Sequence, residues 1–384
     1  MHRTIALFVP VLFALFFAPR AAGAAPAPTE CQAHLLIDGA SGEVIEEFNS
    51  HQALPPASMV KLMLAYTVMQ RIKENALTMD EMVTASAQAS KIGGSQVFLK
   101  QGEQFSVSDL LDAVLVQSAN DASHALAEHI AGATSGFVEM MNETAKRLGM
   151  AESTFYFPHG LPPSKDQQPD VVSAHDFGIL ARAIIRDFPE LLERTKISEK
   201  PFRGGEFIMR NHNRLVRTFP GADGLKTGFY SKAGFSVTAT AVRNGVRMIA
   251  VVMGCDRSGN RDTFAAQLLS TGFARFRMTK LIDKGSAVEA GVPVLRGDPN
   301  GVALVSAEEV SGVARVGSDK NVVTRLEPCA GFEAPVAAGT RCGDIVFLSN
   351  DKEIARGPLV TAADVPEAAL WKRAGSAIRA KLGW

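Results

Sequence analysis

Ser58-Met59-Val60-Lys61, Ser118-Ala119-Asn120 and Lys226-Thr227-Gly228 occur in that order along the 384 residues. Together they hold the residue types for acyl transfer through a serine whose proton goes to lysine rather than to histidine. From Ser58 to Ser118 is 60 residues, and from Ser58 to Lys226 is 168. A lysine three residues after a serine on a helix lies one turn away on the same face. It can take the serine proton only when neutral, which calls for burial or a neighbouring positive charge, and Lys226 is a source of that charge. Read alone, Ser58 and Lys61 are the ordinary pattern of a capping serine followed by a surface lysine. The weight rests on the order and setting of all three motifs.

Each motif sits at an element boundary. Ser58 follows Leu54-Pro55-Pro56-Ala57 and opens an apolar stretch with Val60, Met63, Leu64 and Thr67 at helical spacing. It therefore reads as the first residue of a buried helix, where free backbone N–H groups favour a developing negative charge. Val107 to Val116 is amphipathic, and Ala122 to Ala131 resumes as helix with Asp121 as its expected cap. Ser118 to Asn120 is then a loop that points two side chains into a cleft: Ser118 to relay a proton to a leaving group, Asn120 to hold a substrate amide. A plain helix–helix turn has the same look. Phe235 to Arg243 and Val246 to Met253 flank Asn244-Gly245, a hairpin signal. Lys226 is expected to open the first strand of that hairpin, with an edge able to bind extended peptide and Gly228 leaving room for it.

Gly94-Ser95-Gln96-Val97-Phe98-Leu99, Phe157-Pro158-His159-Gly160-Leu161, Asp223-Gly224-Leu225, Lys232-Ala233-Gly234 and the segment ending Met253-Gly254 extend the match. On these residues and the three motifs the chain resembles the low-molecular-mass penicillin-binding proteins, specifically D-alanyl-D-alanine carboxypeptidases related to penicillin-binding protein 5. The resemblance covers nearly the whole mature chain. It implies an α+β fold: a transpeptidase domain of the kind shared with serine β-lactamases, with a helical cluster on an antiparallel sheet, then a small C-terminal β-sandwich. It also implies removal of the terminal D-alanine from peptidoglycan stem pentapeptides through an acyl-enzyme, with β-lactams acylating the same serine.

By that resemblance Ser58 is the nucleophile and Lys61 its general base. Ser118 and Lys226 handle the leaving-group proton, Asn120 and Thr227 orient substrate beside Gly228, and the backbone N–H groups of Ser58 and Phe229 form the oxyanion hole. The substrate carboxylate falls to Arg261, with Arg257 the weaker candidate. His159 either lines the cleft or bonds within its own loop, and has no catalytic role. Phe229-Tyr230 is bulkier than the residues common there in the family, which bears on substrate preference and rate.

Met1-His2-Arg3, the apolar run Ile5 to Ala18 and Ala22-Gly23-Ala24 have the layout of a cleaved export signal over residues 1–24. Four cysteines in an oxidising compartment allow three pairings. Cys329 and Cys342 are the local pair. In the resembled fold the strands bearing Cys31 and Cys255 are antiparallel neighbours, which implies the second bridge. No histidine stands near the cysteines at zinc-ligand spacing, and neither a metal nor an organic cofactor is expected. Forty basic and forty acidic residues cancel, so nucleic acid is not an expected partner.

The catalytic unit is expected over residues 25–278 and a β-rich domain over 279–365. Residues 366–384 carry Trp371, Ala374, Ile378 and Leu382 near helical spacing among Lys372, Arg373, Arg379 and Lys381. That is the pattern of a basic amphipathic helix lying on an anionic membrane surface, which the family uses as its anchor. The expected place is the periplasmic side of the cytoplasmic membrane, peripherally attached. Rival readings are a peptidoglycan DD-endopeptidase and a non-enzymatic envelope scaffold or β-lactam sensor. A class A β-lactamase is disfavoured because no Glu-x-x-Leu-Asn lies between Asn120 and Lys226.

Overall fold

The computed structural model describes residues 31–317, 322–349 and 351–369. The expected signal segment, and the amphipathic tail beyond residue 369, lie outside these. The first domain is built on a five-stranded antiparallel sheet from β1 (Ala33–Asp38), β2 (Val44–Phe48), β7 (Ala222–Tyr230), β8 (Gly234–Arg243) and β9 (Val246–Cys255), in the order β2-β1-β9-β8-β7. Alternation along β1 and β9 divides its two faces. Leu35, Ile37, Ile249, Val251 and Met253 pack into the main helical cluster, while Leu36, Met248, Ala250 and Val252 join Leu268 and Leu269 on the opposite face. Both faces are covered, so the central strands read as continuous apolar runs.

The helical side holds α1 (Lys61–Lys73), the small ribbon β3 (Met82–Thr84) with β4 (Gln104–Ser106), α2 (Val107–Asp112), α3 (Asn120–Ala131), α4 (Thr134–Leu148), α5 (Ala174–Asp187) and α6 (Glu190–Thr195). The ribbon β5 (Glu199–Phe202) with β6 (Phe207–Arg210) and the short α7 (Leu215–Thr218) lead back to β7. The long α8 (Ser258–Arg275) covers the other face. From Lys61 to Met69 every residue of α1 is buried, so this helix is the centre of the core rather than an amphipathic surface helix.

β10 (Phe276–Ile282) follows α8 directly and pairs with β13 (Val310–Arg315). The remaining strands are β11 (Ala287–Leu295), β12 (Gly301–Ser306), β14 (Val323–Glu327), β15 (Phe332–Glu333), β16 (Arg341–Ser349) and β17 (Lys352–Thr361). They form a six-stranded sheet in the order β14-β16-β17-β12-β11-β15 around Leu304, Ile345, Phe347 and Leu359. Both expected disulfides are present, Cys31–Cys255 and Cys329–Cys342. The β1–β9 register places Ala33 opposite Met253, which carries Cys31 to Cys255 two residues further on.

Three local expectations are corrected. Ser58 lies in a 3-10 turn, Ala57–Val60, that precedes α1, so Lys61 and not Ser58 begins the helix. Asn120 already belongs to α3. Asp121 is not its cap: its buried carboxylate instead accepts the N–H groups of Val97 and Leu99. Lys226 does not open the Asn-Gly hairpin, which joins β8 to β9. It sits in the middle of β7, a separate strand at the sheet edge.

Candidate active site

The strand edge and the serine turn meet because glycine lets them. A Cβ on Gly228 would lie 2.4 Å from the carbonyl oxygen of Pro56, and one on Gly160 would lie 2.1 Å from that of Ala57. Gly228 therefore makes room for the protein's own Ser58 turn, not only for a ligand as the sequence implied. Gly160 also has φ +74°, a conformation that favours glycine. Gly160→Ala should cost about 2–3 kcal/mol of stability in denaturant unfolding, from left-handed strain plus the overlap.

Lys61 is fully buried, at 0% exposure. Its Nζ lies 3.0 Å from Ser58 Oγ, 2.7 Å from Asn120 Oδ1 and 2.6 Å from the carbonyl oxygen of His159. A neutral lysine amine has two N–H donors and one lone pair. The two carbonyl-type oxygens can only accept, so they take both N–H groups and leave the lone pair aimed at the serine hydroxyl. Burial first, and the charge of Lys226 second, hold Lys61 well below the ordinary lysine range. Lys226, also buried, is brought down to about 7 by burial and then by Arg261. Lys226 can therefore release a proton near neutrality, and the neutral form of Lys61 is favoured far more than in an exposed lysine.

Helix α2 passes into a π turn, Ala113–Gln117, after which Ser118 takes a left-handed conformation with φ 63°. This break carries Ser118 into the cleft. Asn120 is anchored on both sides of its amide, with Oδ1 on Lys61 and Nδ2 donating to the Gly93 carbonyl at 2.8 Å. Its first work is to orient the lysine, beside the expected contact with substrate. The cleft, about 550 Å³, is lined by Ser58, Ser118, Asn120, Thr227, Gly228, Phe229 and Arg261 from the expected set. Lys61 and Lys226 lie buried beneath it. The Phe229 ring is half-exposed and stacks on Phe235 at 4.0 Å between centroids. Arg257 is exposed and not among the lining residues. His159 bonds within its own loop, its Nδ1 accepting the Leu161 N–H at 3.1 Å. Burial, and then Lys61, push it down to about 3, so it is neutral.

Several contributors carried no sequence signal. Asp170 accepts the N–H groups of Tyr156 and Phe157 and so fixes the loop whose His159 carbonyl meets Lys61. Burial raises Asp170 to about 6. His212, lowered to about 4 by burial and then by Lys226 and so neutral, lines the cleft, and Arg214 and Arg217 line it too, adding their cations to that of Arg261. Asp170 and His212 stand in irregular loops, and Arg214 and Arg217 at and in the short α7, none of them within a motif.

A serine hydroxyl on the lone pair of a buried lysine, beneath a cation-lined cleft at a sheet edge, is the arrangement of a serine acyl-transfer enzyme that uses lysine as its base. The chain belongs to the D-alanyl-D-alanine carboxypeptidase family: residues 20–257 match that family, and residues 276–367 match the C-terminal domain of penicillin-binding protein 5. It is 36% identical over 375 residues to D-alanyl-D-alanine carboxypeptidase DacC of Escherichia coli strain K12, covering 94% of this chain and 92% of that one. Among solved structures, penicillin-binding protein 5 from Haemophilus influenzae superposes with a TM-score of 0.68 at 33% identity, covering 90% of this chain and 100% of that chain. Penicillin-binding protein D2 from Listeria monocytogenes, in its ampicillin-bound form, matches with a TM-score of 0.58 at 31% identity, over 63% of this chain and 97% of that one. The resemblance drawn from the three motifs is thus borne out in family and fold, including the C-terminal β domain.

Proposed function

We propose that the protein removes the terminal D-alanine from peptidoglycan stem pentapeptides, with Ser58 as nucleophile and Lys61 as general base. The observation that carries this reading is the Lys61 amine, with both N–H groups engaged by Asn120 and His159 and its lone pair left for Ser58. Neutral Lys61 takes the Ser58 proton as Oγ attacks the carbonyl carbon of the penultimate residue. The oxyanion is received by the backbone N–H groups of Ser58 and Phe229, a preorganised arrangement worth several kcal/mol. Collapse expels the D-alanine amine, which takes up the proton that Lys61 accepted, relayed through Ser118 beside Lys226, so that Lys61 is neutral again. Water then attacks the acyl-enzyme with Lys61 again as base. Thr227 and Asn120 hold the peptide against the β7 edge, and Arg261 holds the terminal carboxylate. β-Lactams acylate the same serine.

The place of action is outside the cytoplasm, with residues 366–384 holding the protein on the outer face of the cytoplasmic membrane. The arrangement of tryptophans and basic residues in that tail supports this. Among the described residues no helix is long and apolar enough to cross a membrane.

The test is release of free D-alanine from a stem pentapeptide and from the same peptide amidated at its C-terminus. Loss of a buried charge pair costs about 2–5 kcal/mol, so Arg261→Ala should lower kcat/KM for the acid by about 30- to 4,000-fold and leave the slow amide reaction nearly unchanged. No D-alanine from folded protein would overturn the reading, and cleavage of cross-linked peptide alone would replace it with the endopeptidase.

A further inference from the structure

Away from the cleft, His51, Glu152 and His175 come together from three segments. His51 lies between β2 and the Ser58 turn, Glu152 follows α4, and His175 stands in the first turn of α5. Their donor atoms all lie within 4.8 Å of one another. His51 Nδ1 is 2.8 Å from Glu152 Oε1, and His175 Nδ1 is 3.9 Å from Glu152 Oε2. A second observation points into the same space. Asp176 is only 1% exposed, and its Oδ1 has no hydrogen-bond partner although it lies 3.6 Å from His175 Nδ1. His175 Nδ1 is itself buried without a partner. Two such atoms, just beyond hydrogen-bond range, leave a desolvation cost that a shared cation would remove. Separations of 3.6 and 3.9 Å are close to those between ligands of one small cation bound at about 2.0–2.2 Å.

We propose that His51, Glu152 and His175, closed by Asp176 Oδ1, bind one zinc-class divalent cation that clamps the approach to Ser58 onto α5. Mixed imidazole and carboxylate donors suit zinc and its first-row neighbours rather than calcium or magnesium. The surroundings hold the donors in place. Ser173 Oγ donates to Glu152 Oε2, and Asp176 Oδ2 accepts from the Glu152 N–H and from Ser153 Oγ. The positive end of α5 disfavours a cation, and the two carboxylates gathered there offset it. The segment after His51 is already tied to the residues before α5 by the Leu54–Val172 bridge, and it runs through Pro55 and Pro56 into the Ser58 turn. The donors are 101 and 23 residues apart in sequence. No local spacing displays them, so no metal is legible in the sequence alone.

Chelator-treated mature protein, titrated calorimetrically with zinc chloride alone, should show one saturable site per chain and a raised thermal midpoint. The His51 side chain is 59% exposed, so His51→Ala should fold normally. It should weaken zinc binding by at least ~10-fold, the least that even an outer partner of a ligand contributes, and lose the thermal shift. His129→Ala, which removes a surface His–Glu pair elsewhere, should change neither. No saturable binding, or equal affinity in His51→Ala, would overturn the proposal and leave an ordinary ion-pair cluster.

Discussion

Ser58→Ala should leave a folded protein that releases no D-alanine and forms no covalent adduct with a β-lactam. Loss of the nucleophile in an enzyme of this kind costs about 10⁴- to 10⁶-fold in kcat, because the remaining groups act on a bond that nothing attacks. Fold should survive, since among the described residues the hydroxyl bonds to Lys61 alone and the cleft admits water in its place. Binding should survive as well: Arg261, Thr227 and the β7 edge are untouched, so non-covalent affinity for the peptide should change by less than about threefold. Intact-mass measurement after incubation with a penicillin separates this reading from its nearest rival. Ser95, Ser118 and Ser258 also line the cleft, and an adduct that persists in Ser58→Ala would transfer the nucleophile's role to one of them.

The parts of this site that the sequence displays are those set by short-range geometry. Ser58 and Lys61 are one turn apart, Ser118 follows a helical pattern that stops, and Asn244-Gly245 marks a hairpin. Each follows from backbone rules acting over a few residues. What the sequence conceals is set by contacts between distant segments. The Gly228 and Gly160 approaches to the serine turn depend on how β7 and the 157–161 loop close around it. Asn120 reads as a substrate ligand, and nothing in the sequence shows that its amide also meets Lys61 and Gly93, 59 and 27 residues away. Asp121 reads as a helix cap because its position suits one. The unmet N–H groups of Val97 and Leu99 offered it better partners. Lys226 reads as part of the Asn-Gly hairpin for a related reason: Ser231-Lys232-Ala233 is a weaker turn signal than Asn-Gly, so the sequence pattern does not separate β7 from the hairpin that follows it.

The chemistry asked of Lys61 has a thermodynamic consequence that can be measured without substrate. Its folded-state pKa lies well below the ordinary 10.5, and that of Lys226 falls to about 7. Between those depressed values and 10.5 the unfolded chain binds more protons than the folded one, so stability rises with pH across that window. Below it both lysines are protonated in either state, and the penalty of burying their charge is fully present. Stability of the parent should therefore climb from about pH 7 toward pH 10 in denaturant titrations. In Lys61→Met, similar in length and without charge, the climb should shrink to the part owed to Lys226. At neutral pH the change in stability is a difference of two effects. The cost of stripping Lys61 of its proton on folding is removed, but Asn120 Oδ1 and the His159 carbonyl lose their donor, at about 1–3 kcal/mol for each one left dry. The rate has no such compensation. With no base on Ser58, acylation by peptide or β-lactam should fall by at least about 10³-fold, within the range assigned to a positioned general base together with nucleophile activation. A Lys61→Met protein whose stability keeps the parent's full pH slope would show that Lys61 is an ordinary charged lysine when folded. The base would then have to be sought in Lys226, the other buried amine whose pKa falls near neutrality.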